Sequence, residues 1–192
     1  MLSFAINVMF LASVLGQGTD PTKVCLPDTF QSNIYSLDSH NAGLIAFDFP
    51  NDALAVRSSN GLRSVYNLSD YSMASINETD GDCKLLPSND MYKIFGFQCL
   101  PATTVLISNA TRHIGLIDSD SLFLGWRVPF PGVGAVTLAL TTTDPAIPIL
   151  REFKTSPDSE PHIVLFFNAK LGVDDKSIFT VPDDCTPATI VG

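Results

Sequence analysis

The sequence predicts an all-β domain, an antiparallel sandwich or barrel, and three observations carry that expectation. The acids are 17 Asp and only 3 Glu. Asp favours turns, where its short side chain bonds nearby backbone, whereas Glu belongs to helices. Short β-branched and aromatic runs alternate with turn signals about every ten residues. No segment keeps a 3.6-residue apolar period over three turns.

The runs follow in order. Gly43 to Phe49 alternates, with Ile45, Phe47 and Phe49 on one face. Pro50-Asn51-Asp52 breaks it, and Ala53 to Arg57 restarts before the turn Ser58-Ser59-Asn60-Gly61. Arg63 to Leu68 and Tyr71 to Ile76 are further strands. Pro87 to Asp90 turns, and Tyr92 to Phe97 is read as another strand. Thr103 to Ile107, Leu122 to Val128, Val133 to Leu140 and His162 to Leu171 complete the set. Asp174 to Phe179 suits one helical turn. The Pro-rich stretches Pro129 to Gly132 and Asp144 to Pro148 read as rigid turns. No repeat or linker divides the chain.

The first residues address the chain to export. Leu2 to Leu15 are almost wholly apolar, and the small residues Gly16 and Gly18 follow. That layout suits a signal peptide over residues 1–18, although the start has no Lys or Arg. The apolar run is short of the about 20 residues that a spanning helix needs. Residues 19–192 then form one domain, soluble and without a transmembrane anchor. The net charge of −9 falls on that domain, so nucleic acid and anionic membrane surfaces are unsuited as partners.

Four cysteines, Cys25, Cys83, Cys99 and Cys185, form no CxxC and no zinc-like cluster. An even count in an exported chain reads as two disulfides, and spacing leaves all three pairings open. Three sequons, at Asn67, Asn77 and Asn109, predict exposed turns or strand ends and an N-linked glycan on at least one of them.

No HExxH, GxSxG, Walker loop or complete GxGxxG is present, so no enzyme is expected. His40, His113 and His162 stand far apart, and His162 at the head of a strand suits a structural role. Carboxylates are the candidate ionic site. Asp80-Gly81-Asp82 and Asp118-Ser119-Asp120 put hard oxygen ligands on turns, which suits calcium, though neither fits an EF-hand. For any one pair, a solvated turn is the simpler account. Thirteen Phe and Trp126 either fill a core or line an apolar pocket.

The last third carries a more specific pattern. Paired Phe166 and Phe167, then Leu171-Gly172-Val173, the acidic Asp174-Asp175, Ser177-Ile178-Phe179, Pro182 and Cys185 together resemble the C-terminal signature of the ependymin family. Cys25-Leu26-Pro27 with Phe30, and Asp82-Cys83-Lys84, are similar to that family's opening and middle segments. The resemblance implies a two-layer antiparallel β-sandwich, lipoprotein-carrier-like, around a deep apolar pocket. It implies a secreted or lysosomal glycoprotein without catalysis, homodimers, and calcium binding. It also implies the pair Cys83–Cys185, which leaves Cys25–Cys99. The sequence has four cysteines where mammalian members have six.

Two functions are therefore expected. The first is a secreted, non-enzymatic glycoprotein that holds an apolar, lipid-like ligand, with calcium as its candidate ion. The alternative is an acidic, calcium-binding structural component of an extracellular or calcified matrix, with matrix components as partners.

Overall fold

The computed structural model describes residues 20–107, 112–113, 122–156 and 158–188. The signal segment 1–18, Asn109, Asp118 and Asp120 lie outside the described residues. The described chain is all-β, as the sequence predicts. Its strands are β1 (Thr29–Ser36), β2 (Ala42–Asp48), β3 (Ala53–Ser58), β4 (Leu62–Asn67), β5 (Ser72–Asn77), β6 (Cys83–Leu86), β7 (Val105–Leu106), β8 (Arg112–His113), β9 (Leu122–Phe130), β10 (Gly134–Thr141), β11 (Pro148–Lys154), β12 (His162–Leu171) and β13 (Thr186–Pro187).

These strands make one sheet, in the order β13-β6-β5-β4-β3-β2-β1-β12-β11-β10-β9-β7, with β8 beside β9. Two antiparallel meanders are visible in that order. One runs from β1 to β6 and the other from β9 to β12. The pairing of β1 with β12 joins them. Among the described strands, only β13 pairs in parallel, with β6. The outermost strands do not meet, so the sheet is not closed.

The sheet curls until its halves face each other, giving a sandwich-like fold. Tyr66 on β4 and Arg151 on β11 show this. They are five strand positions apart, about 24 Å on a flat sheet at the usual spacing. Yet each perturbs the other's charge electrostatically. The seam helps the sheet bend. Its register shifts between Gln31 and Asn33, and a β-bulge increases local twist. Ser32 Oγ, fully buried there, lies 3.0 Å from both Phe167 O and Asn33 O.

Three apolar clusters follow. Phe30, Ile45, Phe47 and Leu54 line the inner face of the first meander, with Phe30 stacked on Phe47. Trp126, Val128, Val136, Leu138 and Leu140 line the inner face of the second. Leu26 packs against both, so the two form one interior. The third cluster lies on the outer face of the first meander. Small residues there, Ala46, Ala55 and Ala74, let the C-terminal 3-10 turn Lys176–Phe179 settle on the sheet through Ile178. The helical turn expected over Asp174 to Phe179 is this one. Among the described residues, none is seen to cover the outer face of the second meander in this way, and Phe167 and Leu171 are 44% and 61% exposed.

One expected strand is overturned. Residues Tyr92 to Phe97 do not form a strand; Asp90–Phe95 is a 3-10 segment. Ile94 and Phe97, three residues apart, both turn into the interior, which matches the 3-10 period. Phe49 likewise leaves its strand for the turn Phe49–Asn51. Five strands, β1, β6, β8, β11 and β13, escape the sequence pattern. β1 places Ser32 at a fully buried position, β11 begins at Pro148 and turns Arg151 inward, and β6 is only four residues long.

Two disulfides are present, Cys25–Cys99 and Cys83–Cys185, the pairs that the resemblance implies. The second closes a loop of 102 residues and ties the tail to β6. Such a loop is worth about 4.7 kcal/mol in the chain-entropy model. Disulfides place the folded chain in an extracellular or otherwise oxidising compartment.

Arg63 fastens the same tail by hydrogen bonds. Its Nη1 donates to Ile178 O at 2.9 Å and to Thr180 O at 2.7 Å, while Nε donates to Glu78 Oε1 at 2.8 Å. Arg57 shares that carboxylate. Arg63→Ala leaves two backbone carbonyls short of donors. Urea unfolding of the variant is expected to show a loss of about 3 kcal/mol, and a loss within error of zero refutes this fastening.

Candidate functional site

Between the half-sheets lies a cavity of about 40 Å³. Phe30 and Phe47 form one wall. Leu138, Leu140, Pro148 and Arg151 form the other, with Phe166 beside the seam. Leu26, Ile94 and Phe97 close it. The walls are those an apolar ligand needs. The volume is not: drug-sized ligands occupy about 300–1,000 Å³. The deep pocket expected from the resemblance is therefore filled in this conformation.

What fills it is a strap, residues 87–101, that crosses from the first meander to the second. Asn89 N donates to Tyr71 O at 3.1 Å, and Tyr92 meets Tyr66 edge to face at 5.1 Å. Gly96 lies so close to Tyr71 that a Cβ would come within 2.9 Å of its ring. Farther on, Ile94 enters the second cluster and Phe97 lies against Phe130. Past these, Leu26 N donates to Gln98 O and Leu100 N to Val24 O. Cys25–Cys99 secures that end, and Ala146 N donates to Cys25 O. A disulfide fixes one end of the strap and the other continues from β6, whose Cys83 is also disulfide-bonded; between them the strap is held by hydrogen bonds and ring contacts.

Arg151 is the charged residue of the cavity wall. Burial pushes its guanidinium down to about 10, against the influence of Tyr66. Tyr66 is pushed up, first by burial and then by Tyr92, while Arg151 and a hydrogen bond with Ser64 oppose the rise. Glu152 and Lys154, adjacent to β11's inward residues Arg151 and Phe153, pair with each other at 4.0 Å. Sequence reading passed over Arg151, because Glu152 and Lys154 around Phe153 hide the strand's alternation.

The sequence-predicted site residues fall elsewhere. Asn67 is exposed at the end of β4, and its Oδ1 accepts from Ser69 Oγ at 2.7 Å. Asn77 is half-buried, and its Nδ2 donates to Asp80 Oδ2 at 2.9 Å. Asp80 Oδ1 accepts from Asp82 N at 2.9 Å, so both Asp80 oxygens serve their own turn. Lys84 Nζ approaches Asp82 at 3.3 Å. Among the described residues, no group of three or more His, Cys, Asp or Glu is placed to hold a metal ion.

A histidine and a carboxylate do meet, at residues that do not line the cavity. His162 Nδ1 bonds Asp38 Oδ2, and Ser36 Oγ donates to Asp38 Oδ1 at 2.7 Å. The carboxylate stands between serine and histidine. In a nucleophilic triad the histidine stands in the middle. The cluster instead pins the end of β1 to the start of β12.

No family model matches the chain, and no curated protein matches it. Its fold is similar to the crystal structure of an uncharacterized conserved protein from Thermus thermophilus. The TM-score is 0.57 at 9% identity, over 93% of this chain and 98% of that one. At that identity the likeness is one of fold.

The Asp38 cluster gives the protein an acid limit. Burial pushes the Asp38 carboxyl up, but hydrogen bonds from Ser36 and His162 outweigh it and hold it at about 2. A carboxyl depressed from 3.8 on folding adds stability above the unfolded value, which is lost as pH falls from about 4 to about 2. Asp38→Asn should flatten the fall of melting temperature across that window. An unchanged slope would show that the pair contributes nothing.

Proposed function

We propose that this chain is a secreted, non-enzymatic glycoprotein, ependymin-like, that takes up an apolar ligand between its two half-sheets. One observation carries the reading. The two inner faces are apolar, and the strap with Leu26 fills the space between them. Between β6 and Cys99 the strap is held by hydrogen bonds and ring contacts, and if these yield, Phe30, Phe47, Leu138 and Leu140 are exposed to a ligand. The resemblance of residues Ile163 to Cys185 to the ependymin signature supports the same reading. Entry into the secretory route serves both extracellular release and delivery to lysosomes.

Native mass spectrometry of protein purified from its source tests this. The expected result is co-purification of an apolar small molecule or lipid, or uptake of a fatty-acyl probe by ligand-free protein. A chain that carries no ligand and takes up no acyl probe overturns the reading. Ile94→Ala with Phe97→Ala enlarges the cavity at a cost of about 2–5 kcal/mol per residue. The double variant is expected to melt lower yet take up more probe, measured by fluorescence. Loss of uptake in a folded double variant would mean that the strap builds the site instead of blocking it.

The calcium-binding matrix reading rests on the acidic surface, a net charge of −9 with 17 Asp. Calorimetric titration with calcium at millimolar concentration, the range of weak extracellular sites, decides it. For glycosylation, Asn67 is the favoured acceptor, being exposed with no hydrogen bond from its Nδ2 to Asp80 of the kind Asn77 makes. Asn67→Gln is expected to remove an N-glycosidase-sensitive mass from the secreted protein, and an unchanged mass refutes that choice.

A further inference from the structure

The outer face of the first meander holds an open groove of about 420 Å³. That volume lies within the about 300–1,000 Å³ of ligand sites. Strand alternation puts Arg63, Val65 and Asn67 of β4 on this face. The tail covers Arg63 and Val65 through Ile178 and Thr180, and the groove continues where that cover ends. Ala53, Val65 and Ala74 form its floor, and Leu85 and Val181 line it while 41% and 36% exposed. Asp52 and Ser72 bring polar groups to it. Asn67 is itself one of the lining residues. Its Oδ1 accepts from Ser69 N at 2.9 Å and from Ser69 Oγ at 2.7 Å. Neither bond uses Nδ2, the nitrogen that takes a glycan. Leu85 lies two strands across and two residues along from Asn67, about 12 Å at ordinary sheet spacings.

We propose that this groove seats the N-linked glycan of Asn67, whose first two N-acetylglucosamine residues lie along it and complete the cover that the tail begins. The inference rests on Asn67 as the acceptor, argued above, and says where its glycan goes. In the attachment, Asn67 Nδ2 loses a proton and bonds C1 of the first sugar, and the pyrophosphate of a lipid-linked oligosaccharide leaves. Two sugars span the distance to Leu85. The C–H face of a pyranose suits Leu85 and Val181, and its hydroxyl and acetamido groups suit the polar lining. Such contacts are individually weak. A covalent tether makes them intramolecular, at an effective concentration of about millimolar for a short linker, so weak contacts suffice. A free sugar in the same groove lacks that advantage. A glycan rooted in the lining also bars a protein partner from the groove.

Release by N-glycosidase tests this, read by mass spectrometry as conversion of Asn67 to aspartate in its peptide. The glycosylated chain is compared with a variant carrying Leu85→Ser and Val181→Ser. Both positions are partly exposed, and a cooperative melt shows that the variant is folded. Val181→Ser alone, a change in the tail, carries the same comparison if the pair does not fold. A seated sugar must lift before the enzyme cuts. Release from the native wild-type chain should therefore be at least about tenfold slower than from the native variant, a seat worth about 1.4 kcal/mol. After denaturation both should release at one rate. The two serines should also lower the melting temperature more in the glycosylated chain than in the Asn67→Gln chain. Equal release from the two native chains, or an equal fall of melting temperature in both backgrounds, overturns the seat and spares Asn67 as acceptor. No conversion at Asn67 even after denaturation overturns both.

Discussion

The pairing of β1 with β12 holds the two halves of this protein in one sheet. Each half is a meander of sequence neighbours and closes on local turns. The seam joins residues that are more than a hundred positions apart, such as Ile34 and Phe166. Without it the two apolar inner faces have no reason to meet. Its bulge adds twist where the sheet bends, and Ser32 supplies a hydroxyl to the strands that the bulge disturbs. Non-local pairing of this kind is slow to form, because loop closure is paid before its contacts help.

The remaining features secure what the seam brings together. Cys25–Cys99 anchors the strap beside the opening of β1, and Cys83–Cys185 holds the tail over the first meander. The Ser36–Asp38–His162 cluster clamps the far end of the seam. The two disulfides act on different faces. One secures the strap, and the other holds the tail on the outer side.

The strap connects fold to function. It supplies Ile94 and Phe97 to a space that the sheet alone leaves unfilled. That segment runs from β6 at one end to the Cys25–Cys99 disulfide at the other. The inward Arg151 adds a polar element to that interior. Acidity outside and a cation inside give the molecule opposite electrostatic characters on its two sides.

The sequence by itself determined the fold class. The Asp-to-Glu skew and the period-two runs were enough for all-β, because strand alternation is a local property. Cysteine count determined that two disulfides form, and the C-terminal signature implied their pairing. Tyr92 to Phe97 misled, since alternation over six residues does not separate a strand from a 3-10 strap. Serines in β1 and arginine in β11 broke the pattern at the seam and at the cavity. Asp80 and Asp82 looked like ligands because sequence shows spacing, not what their oxygens already bind. Only the tertiary structure decided that the sheet curls, that the strap fills its interior, and that Arg151 faces Tyr66 across it. These are relations between distant residues, set by the seam, and no local pattern encodes them.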